Sequence, residues 1–206
     1  SAIAASLWPR LILGSALGAL GTWYLFFLWS GPTLPISHDE LNFLFEALML
    51  PAQGRLTHYA HTPFFYELIA VFEGLWYVLL RVIGSVGSSQ DFLVNLLLNQ
   101  PAHLRLLRAI VALGALGVIF QVYRLGRLFS DPVPAAFAAA FCAGNFTFIV
   151  MTSMGKEDVF FWLFTILAME RSWKASTRGR LRDAVIAGVA IGLASSSKFL
   201  GVFAGL

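Results

Sequence analysis

The sequence predicts an all-α integral membrane protein with about five transmembrane helices and extracytoplasmic juxtamembrane helices in its first outer loop. Of its 206 residues, 58% are apolar and only 12% are charged, whereas soluble domains carry roughly 25% charged residues. The mean hydropathy of +0.77 agrees with this deficit of charge. A soluble enzyme and a disordered chain are therefore excluded, and the single cysteine excludes a disulfide-stapled secreted module.

Five stretches approach the roughly 20 apolar residues that a membrane helix needs. Together they predict one membrane domain over residues 1–206, with spans at 11–29, 106–123, 133–154, 158–174 and 184–206. Three further helices are predicted at the membrane surface, at 39–50, 63–82 and 90–99.

Two more features concern helix packing. Glycines four residues apart, at 14 and 18, 188 and 192, and 201 and 205, predict close approach among the helices of the protein itself. Arg108 stands near the start of an otherwise uncharged span, and we interpret it as a residue whose long side chain snorkels to the membrane surface.

The placement of 63–82 decides the side of the membrane on which every later loop lies. This segment is long enough to span but contains two glutamates. If it lies at the interface, the strongly basic loop 171–182 falls on the cytoplasmic side, in agreement with the positive-inside rule. The acids of 38–40 and the charged turn 156–158 then share the extracytoplasmic face.

Asp39 and Glu40 open the first surface helix, whose apolar residues at 41, 44, 45 and 48 form one stripe. Ser37 and Glu40 fit a capping box, and Asp39 fits a first turn, where the helix dipole favours negative charge. The functional alternative is that Asp39, held beside the bilayer, acts as a general base or binds a cation.

A second charged group follows the third span, where Lys156, Glu157 and Asp158 form a short turn. Asp158 fits the N-cap of the next helix; alternatively, Glu157 and Asp158 hold a divalent cation, Mg or Mn, or the turn binds a phosphate. Lys198 lies about 22 Å beyond Asp183 along a helix and so approaches the same face. There it either snorkels or contacts a lipid phosphate.

The order and spacing of seven stretches carry a family resemblance. These stretches are 36–43, 62–66, 91–93, 99–101, 104–129, 158–161 and 188–198. Together they resemble the N-terminal part of a C-type (GT-C) membrane glycosyltransferase, in the branch of protein-mannosyltransferase-like and aminoarabinose-transferase-like enzymes. Members of this branch use polyprenyl-phosphate-linked sugars as donors.

The resemblance implies an inverting transfer of a sugar from a polyprenyl-phosphate donor to an acceptor hydroxyl at the extracytoplasmic face, most simply of a bacterial inner membrane. It implies that Asp39 and Glu40 are catalytic and that Lys198 binds the donor phosphate. Glu157 and Asp158 are the candidate ligands of a divalent metal.

A second class of function fits the same helices. The chain would then be a non-catalytic, multi-span structural subunit of a larger membrane complex, derived from or similar to a GT-C glycosyltransferase. In both cases the expected partners are membrane lipid and other membrane subunits. Nucleic acid is not an expected partner, because the basic residues form no basic face at helical spacing.

Overall fold

The computed structural model describes residues 2–30, 38–53 and 63–198. Within these ranges the chain forms nine α-helices and no strand. The helices are α1 (Ala2–Ser30), α2 (His38–Gln53), α3 (Pro63–Val82), α4 (Ser89–Leu98), α5 (Gln100–Phe129), α6 (Pro132–Ala143), α7 (Phe146–Ser153), α8 (Asp158–Arg178) and α9 (Leu181–Ser197). The predicted all-α class is confirmed.

Helix α5 is the central element. Pro101 stands in its first turn, where the missing N–H of proline leaves no helical hydrogen bond unmade. One stripe of α5 is buried at intervals of three or four residues, at Leu104, Leu107, Val111, Ala115 and Val118. That spacing places the stripe on one face of the helix, and α5 packs against α1, α6 and α8.

Glycines set the closest approaches of α5 to its neighbours. A Cβ added to Gly114 would lie 3.1 Å from the ring of Phe160 in α8. A Cβ on Gly126 would lie 3.1 Å from Cβ and 3.3 Å from Cα of Ala135 in α6. These contacts require a residue without a side chain, because larger residues would separate the helices.

The glycine pairs that we predicted as packing positions do not serve this role in the described part of the chain. An added Cβ on Gly14, Gly18, Gly188 or Gly192 meets nothing within 4 Å. The pair at 201 and 205 lies outside the described residues. The prediction was therefore wrong for the two described pairs, since spacing alone does not tell which face of a helix meets a neighbour.

Replacing Gly126 by alanine is expected to destabilise the fold by about 1–3 kcal/mol, because neither the backbone nor the Cβ of Ala135 can rotate away. Gly188→Ala is the matched control. It is expected to cost nothing or to stabilise by up to about 1 kcal/mol, since alanine is the better helix former. Thermal unfolding in detergent measures both, and equal effects of the two changes would contradict the assignment.

The predicted span 133–154 is divided in the structure. Helices α6 and α7 are bent by 56° relative to each other. Gly144 ends α6, and the side chain of Asn145 accepts a hydrogen bond of 3.0 Å from the Phe148 N–H and so caps α7. An asparagine N-cap starts a new helix in place of continuing the old one, which explains the break.

Three described helical segments are long and apolar enough to cross a membrane, namely Leu7–Trp29, Pro63–Val82 and Gln100–Phe129, and the bent pair α6 and α7 adds a fourth if it counts as one span. Among the described helices, α8 and α9 do not satisfy these requirements for length and apolar character. Helix α8 carries several charges in its second half, and α9 has 17 described residues. The count of five spans stays a prediction.

The contacts of α3 join it to the first turns of α5 and α8. The Phe64 ring lies 6.0 Å from that of Phe160 in the first turn of α8. Nine residues further along α3, Glu73 bonds to His103 in the first turn of α5. A helix that crossed the membrane beside α5 would contact α5 along its length. Helix α3 therefore lies across the end of the bundle at which α5 and α8 begin, hereafter the α3 end.

Candidate functional site

A buried ion pair joins α2 to α5 at the α3 end. Arg108 donates from Nε and Nη2 to the two carboxylate oxygens of Glu40, at 2.8 Å and 3.0 Å. The side chain of Glu40 is 0% exposed and that of Arg108 is 3% exposed. The Arg108 guanidinium also lies 5.5 Å from the ring centroid of Phe27 in α1, within range of a cation–π interaction. The side chain of Arg108 in α5 thus contacts both α1 and α2.

The interpretation of Arg108 as a snorkelling residue is therefore wrong. Its guanidinium is held inside the protein by a carboxylate 68 positions away in the sequence. A bidentate pair satisfies the geometry of both charged groups, and removal of one partner of such a buried pair is strongly destabilising. The pair fixes the beginning of α2, and with it the backbone of Asp39, relative to α5.

The turn between α7 and α8 packs directly on Glu40. Gly155 in this turn has a φ of +63°, in the left-handed region that L side chains rarely adopt. A Cβ on Gly155 would lie 3.1 Å from Oε1 and 3.3 Å from Cγ of Glu40. Glycine therefore permits both the turn and the close approach, and the turn becomes a neighbour of the first residues of α2.

Hydrogen bonds between α1 and α7 hold this turn in place. The hydroxyl groups of Tyr24 and Thr152 are bonded to each other. Beside them, Trp23 Nε1 donates to Ser153 Oγ at 3.4 Å. Because Thr152 and Ser153 end α7, these bonds fix the residues that lead into the 155–158 turn.

Lys198 follows the last residue of α9 and reaches the first residue of α8. Its Nζ donates to Oδ1 of Asp158. The two side chains are 37% and 21% exposed, so the pair remains accessible from outside the bundle. The N-cap interpretation of Asp158 is not the one that the structure adopts, since Asp158 lies in the first turn of α8 and its carboxylate binds Lys198.

The structure thus brings together most of the residues predicted for the site. Glu40 contacts the 155–158 turn, Asp158 in that turn binds Lys198, and Glu157 between them is buried. Asp39 belongs to α2, but its side chain lies outside the described part of the chain. The backbone of Asp39 directly precedes Glu40, so the same end of the bundle carries all five residues.

The acids of the turn do not by themselves make a metal site. Among the described residues, no group of three or more His, Cys, Asp and Glu side chains is placed to hold a metal ion. Asp158 is already paired with the ammonium group of Lys198. Divalent cations such as Mg²⁺ are bound by several oxygen ligands, so a metal here would need ligands beyond Glu157 and Asp158.

A second buried pair of side chains at the α3 end was not predicted from the sequence. His103 Nδ1 lies 2.7 Å from Glu73 Oε2, and His103 Nε2 lies 3.3 Å from Asn95 Oδ1. Glu73 and His103 are buried, so the contacts tie α3 and α4 to the beginning of α5. The position of Glu73 could have indicated the pair. Glu73 lies on the otherwise apolar buried face of α3, and a buried carboxylate needs a partner.

The second half of the chain matches a known protein family. Residues 90–206 match the model of the dolichyl-phosphate-mannose-protein mannosyltransferase family, which covers more than half of the chain. The chain belongs to this family. The resemblance to GT-C membrane glycosyltransferases is confirmed at that level. Comparison with curated proteins and with solved structures found no match.

The mannosyltransferase match divides the site between two parts of the chain. The matched region begins in α4 and includes Arg108, the 155–158 turn and Lys198. Helix α2, with Asp39 and Glu40, precedes the matched region. The Glu40–Arg108 pair therefore connects α2 directly to the part of the chain that identifies the mannosyltransferase family.

Proposed function

We propose that this mannosyltransferase-family chain transfers a sugar from a polyprenyl-phosphate donor to an acceptor hydroxyl at the extracytoplasmic face of a bacterial inner membrane. One observation carries the proposal. The 155–158 turn contacts Glu40 on one side and, through Asp158, holds Lys198 on the other. A cation suited to a phosphate therefore lies at the same end of the bundle as the acids of α2.

In the proposed reaction Asp39 is the general base. The acceptor oxygen attacks the anomeric carbon of the sugar, and Asp39 takes the proton of that hydroxyl. The bond between the anomeric carbon and the phosphate oxygen breaks, and its electron pair leaves with the polyprenyl phosphate. Configuration at the anomeric carbon is inverted, because attack and departure take place on opposite faces of the sugar.

Lys198 is the proposed partner of the departing phosphate. Negative charge grows on the phosphate as the bond breaks, and an ammonium group placed beside it lowers the energy of that transition state. The ammonium group of Lys198 is held by Asp158. Donor phosphate would take over part of that contact, so Asp158 keeps Lys198 at the site until the donor arrives.

Glu40, which we predicted to be catalytic beside Asp39, is proposed as a positioning residue. Both of its carboxylate oxygens accept hydrogen bonds from Arg108. Its buried position against Gly155 further supports a role in placing α2. A divalent cation, if one assists the donor phosphate, requires ligands beyond Glu157 and Asp158, and no step is assigned to it.

The proposal is tested by replacing Lys198 with glutamine in the full-length protein. Loss of the cation is expected to lower the initial rate of sugar transfer about 10²- to 10³-fold, the effect of removing one group that stabilises transition-state charge. Transfer is measured in proteoliposomes with a polyprenyl-phosphate-linked donor. The mannosyl donor is tested first because of the family to which the chain belongs.

Lys198→Arg is expected to restore much of the rate, since it returns the positive charge. Arg105→Gln is the matched control, because it removes an exposed cation from the same end of the bundle. Transfer by Lys198→Gln at the wild-type rate would contradict the proposed role of Lys198. Absence of transfer by the wild-type protein with every lipid-linked donor tested would favour the structural-subunit function.

A further inference from the structure

The end of the bundle opposite the α3 end carries four exposed arginines, namely Arg127 and three that surround a turn. It comprises residues 124–131 and 171–183, hereafter the hairpin end. Gly179, with a φ of +63°, closes the turn between α8 and α9. Arg178, Arg180 and Arg182 surround this turn and are exposed. In the described part of the chain no carboxylate forms an ion pair with any of the three.

The acids that α8 and α9 contribute to this end are already bound by other side chains. Glu170 is fully buried and accepts hydrogen bonds from Gln121, Lys174 and, at 2.8 Å, Arg124. Asp183, which precedes the predicted span 184–206, accepts a 2.8 Å hydrogen bond from Arg171. That bond holds the pKa of Asp183 below its ordinary value, so the acid stays charged and engaged with Arg171. Asp183 also interacts electrostatically with Arg180, but neither acid forms an ion pair with an arginine of the turn among the described residues.

Two exposed aromatic residues lie beside the turn. The rings of Phe129 and Trp173 meet edge to face, with centroids 4.8 Å apart. They are 60% and 46% exposed. Trp173 precedes Arg178 by five residues of α8, or about 7.5 Å along the helix axis. Aromatic rings at the membrane interface with cations just beyond them match the depths of the acyl ester region and the lipid phosphates.

We propose that the hairpin end binds the headgroups of anionic phospholipids. Arg178, Arg180 and Arg182 contact the phosphate groups and the negative charge of the headgroup. Phe129 and Trp173 lie against the glycerol and upper acyl region. This contact is separate from sugar transfer, which we assign to the α3 end, and it adds a lipid-selective surface to the opposite end of the bundle.

Lipid titration of the full-length protein in neutral detergent tests this proposal. Dioleoylphosphatidylglycerol or dioleoylphosphatidylcholine is added, and bound lipids are counted by native mass spectrometry. We expect the wild-type protein to prefer phosphatidylglycerol. Arg180→Gln combined with Arg182→Gln is expected to lower that affinity about 30-fold, because a basic residue near anionic lipid contributes about fivefold. Phosphatidylcholine binding is expected to stay unchanged.

Arg81→Gln combined with Arg105→Gln is the matched control. It removes the same charge from helices at the α3 end and should leave the preference intact. Raising the salt concentration should weaken the preference of the wild-type protein, which tests the electrostatic origin without any substitution. Equal losses in the two double variants, no preference in the wild-type protein, or a preference insensitive to salt would each overturn the proposal.

Discussion

Replacing Asp39 by asparagine is expected to lower the rate of sugar transfer by about 10²- to 10⁴-fold, the range that a general base contributes. Asparagine keeps the size and the polarity of the side chain but cannot accept the proton of the acceptor hydroxyl. Binding of the donor should change little, because the phosphate partner Lys198 is untouched. The measurement is the initial rate at saturating donor with the full-length protein in proteoliposomes.

Asp91→Asn is the matched control for this change. Asp91 is an exposed acid in the first turn of α4, where its carboxylate accepts a 3.1 Å hydrogen bond from the Gly87 N–H. Its replacement should leave transfer within about twofold of the wild-type rate, because it lies outside the proposed site. If Asp39→Asn transfers sugar as fast as the wild-type protein, Asp39 is not the base.

Arg108→Met is expected to destabilise the protein by about 3–5 kcal/mol, the cost of breaking a buried ion pair from one side. Methionine fills much of the space, but Glu40 is then left fully buried without its guanidinium. The cation–π contact with Phe27 is lost as well. Equilibrium unfolding in mixed micelles measures the change, and sugar transfer should fall with it because α2 loses its attachment to α5.

A double-mutant cycle distinguishes loss of the Glu40–Arg108 ion pair from the other destabilising effects of the two substitutions. Glu40→Leu should be as harmful as Arg108→Met, since it removes the carboxylate that binds Nε and Nη2 of the buried arginine. Combining the two changes should destabilise the protein much less than the sum of the single effects, because an apolar pair has no uncompensated charge. Simple additivity of the two single effects would show that the two side chains do not act as a pair.

Local patterns in the sequence were sufficient for most of the helices. Apolar runs and the charges that interrupt them predicted where each described helix lies. The bounds differ most at α1, which begins nine residues before its predicted span, at α5, which extends six residues beyond its predicted span at both ends, and at Asn145, where one predicted span is divided. That break depends on whether an asparagine side chain caps a new helix or faces lipid. The sequence does not decide between these, because both occur at the same position in an apolar run.

Contacts within the candidate site could be predicted from the sequence only where the length of a single helix fixes the position of a residue. The rise of α9 was enough to expect Lys198 at the end that carries Asp158, and the structure joins the two. The Glu40–Arg108 and Glu73–His103 pairs connect different helices across 68 and 30 positions. Such pairs follow from the packing of helices against one another, which spacing within a single helix does not determine.

The length of α5 has a consequence for how substrates reach the site. Its 30 residues extend roughly 45 Å, whereas the hydrocarbon core of a bilayer is about 30 Å thick. About three turns of α5, shared between its two ends, therefore extend beyond a hydrocarbon core of that thickness, and at the α3 end they include His103. In the proposed reaction, a donor anchored in the lipid and an acceptor arriving from water meet in the headgroup layer, so neither has to leave its own solvent.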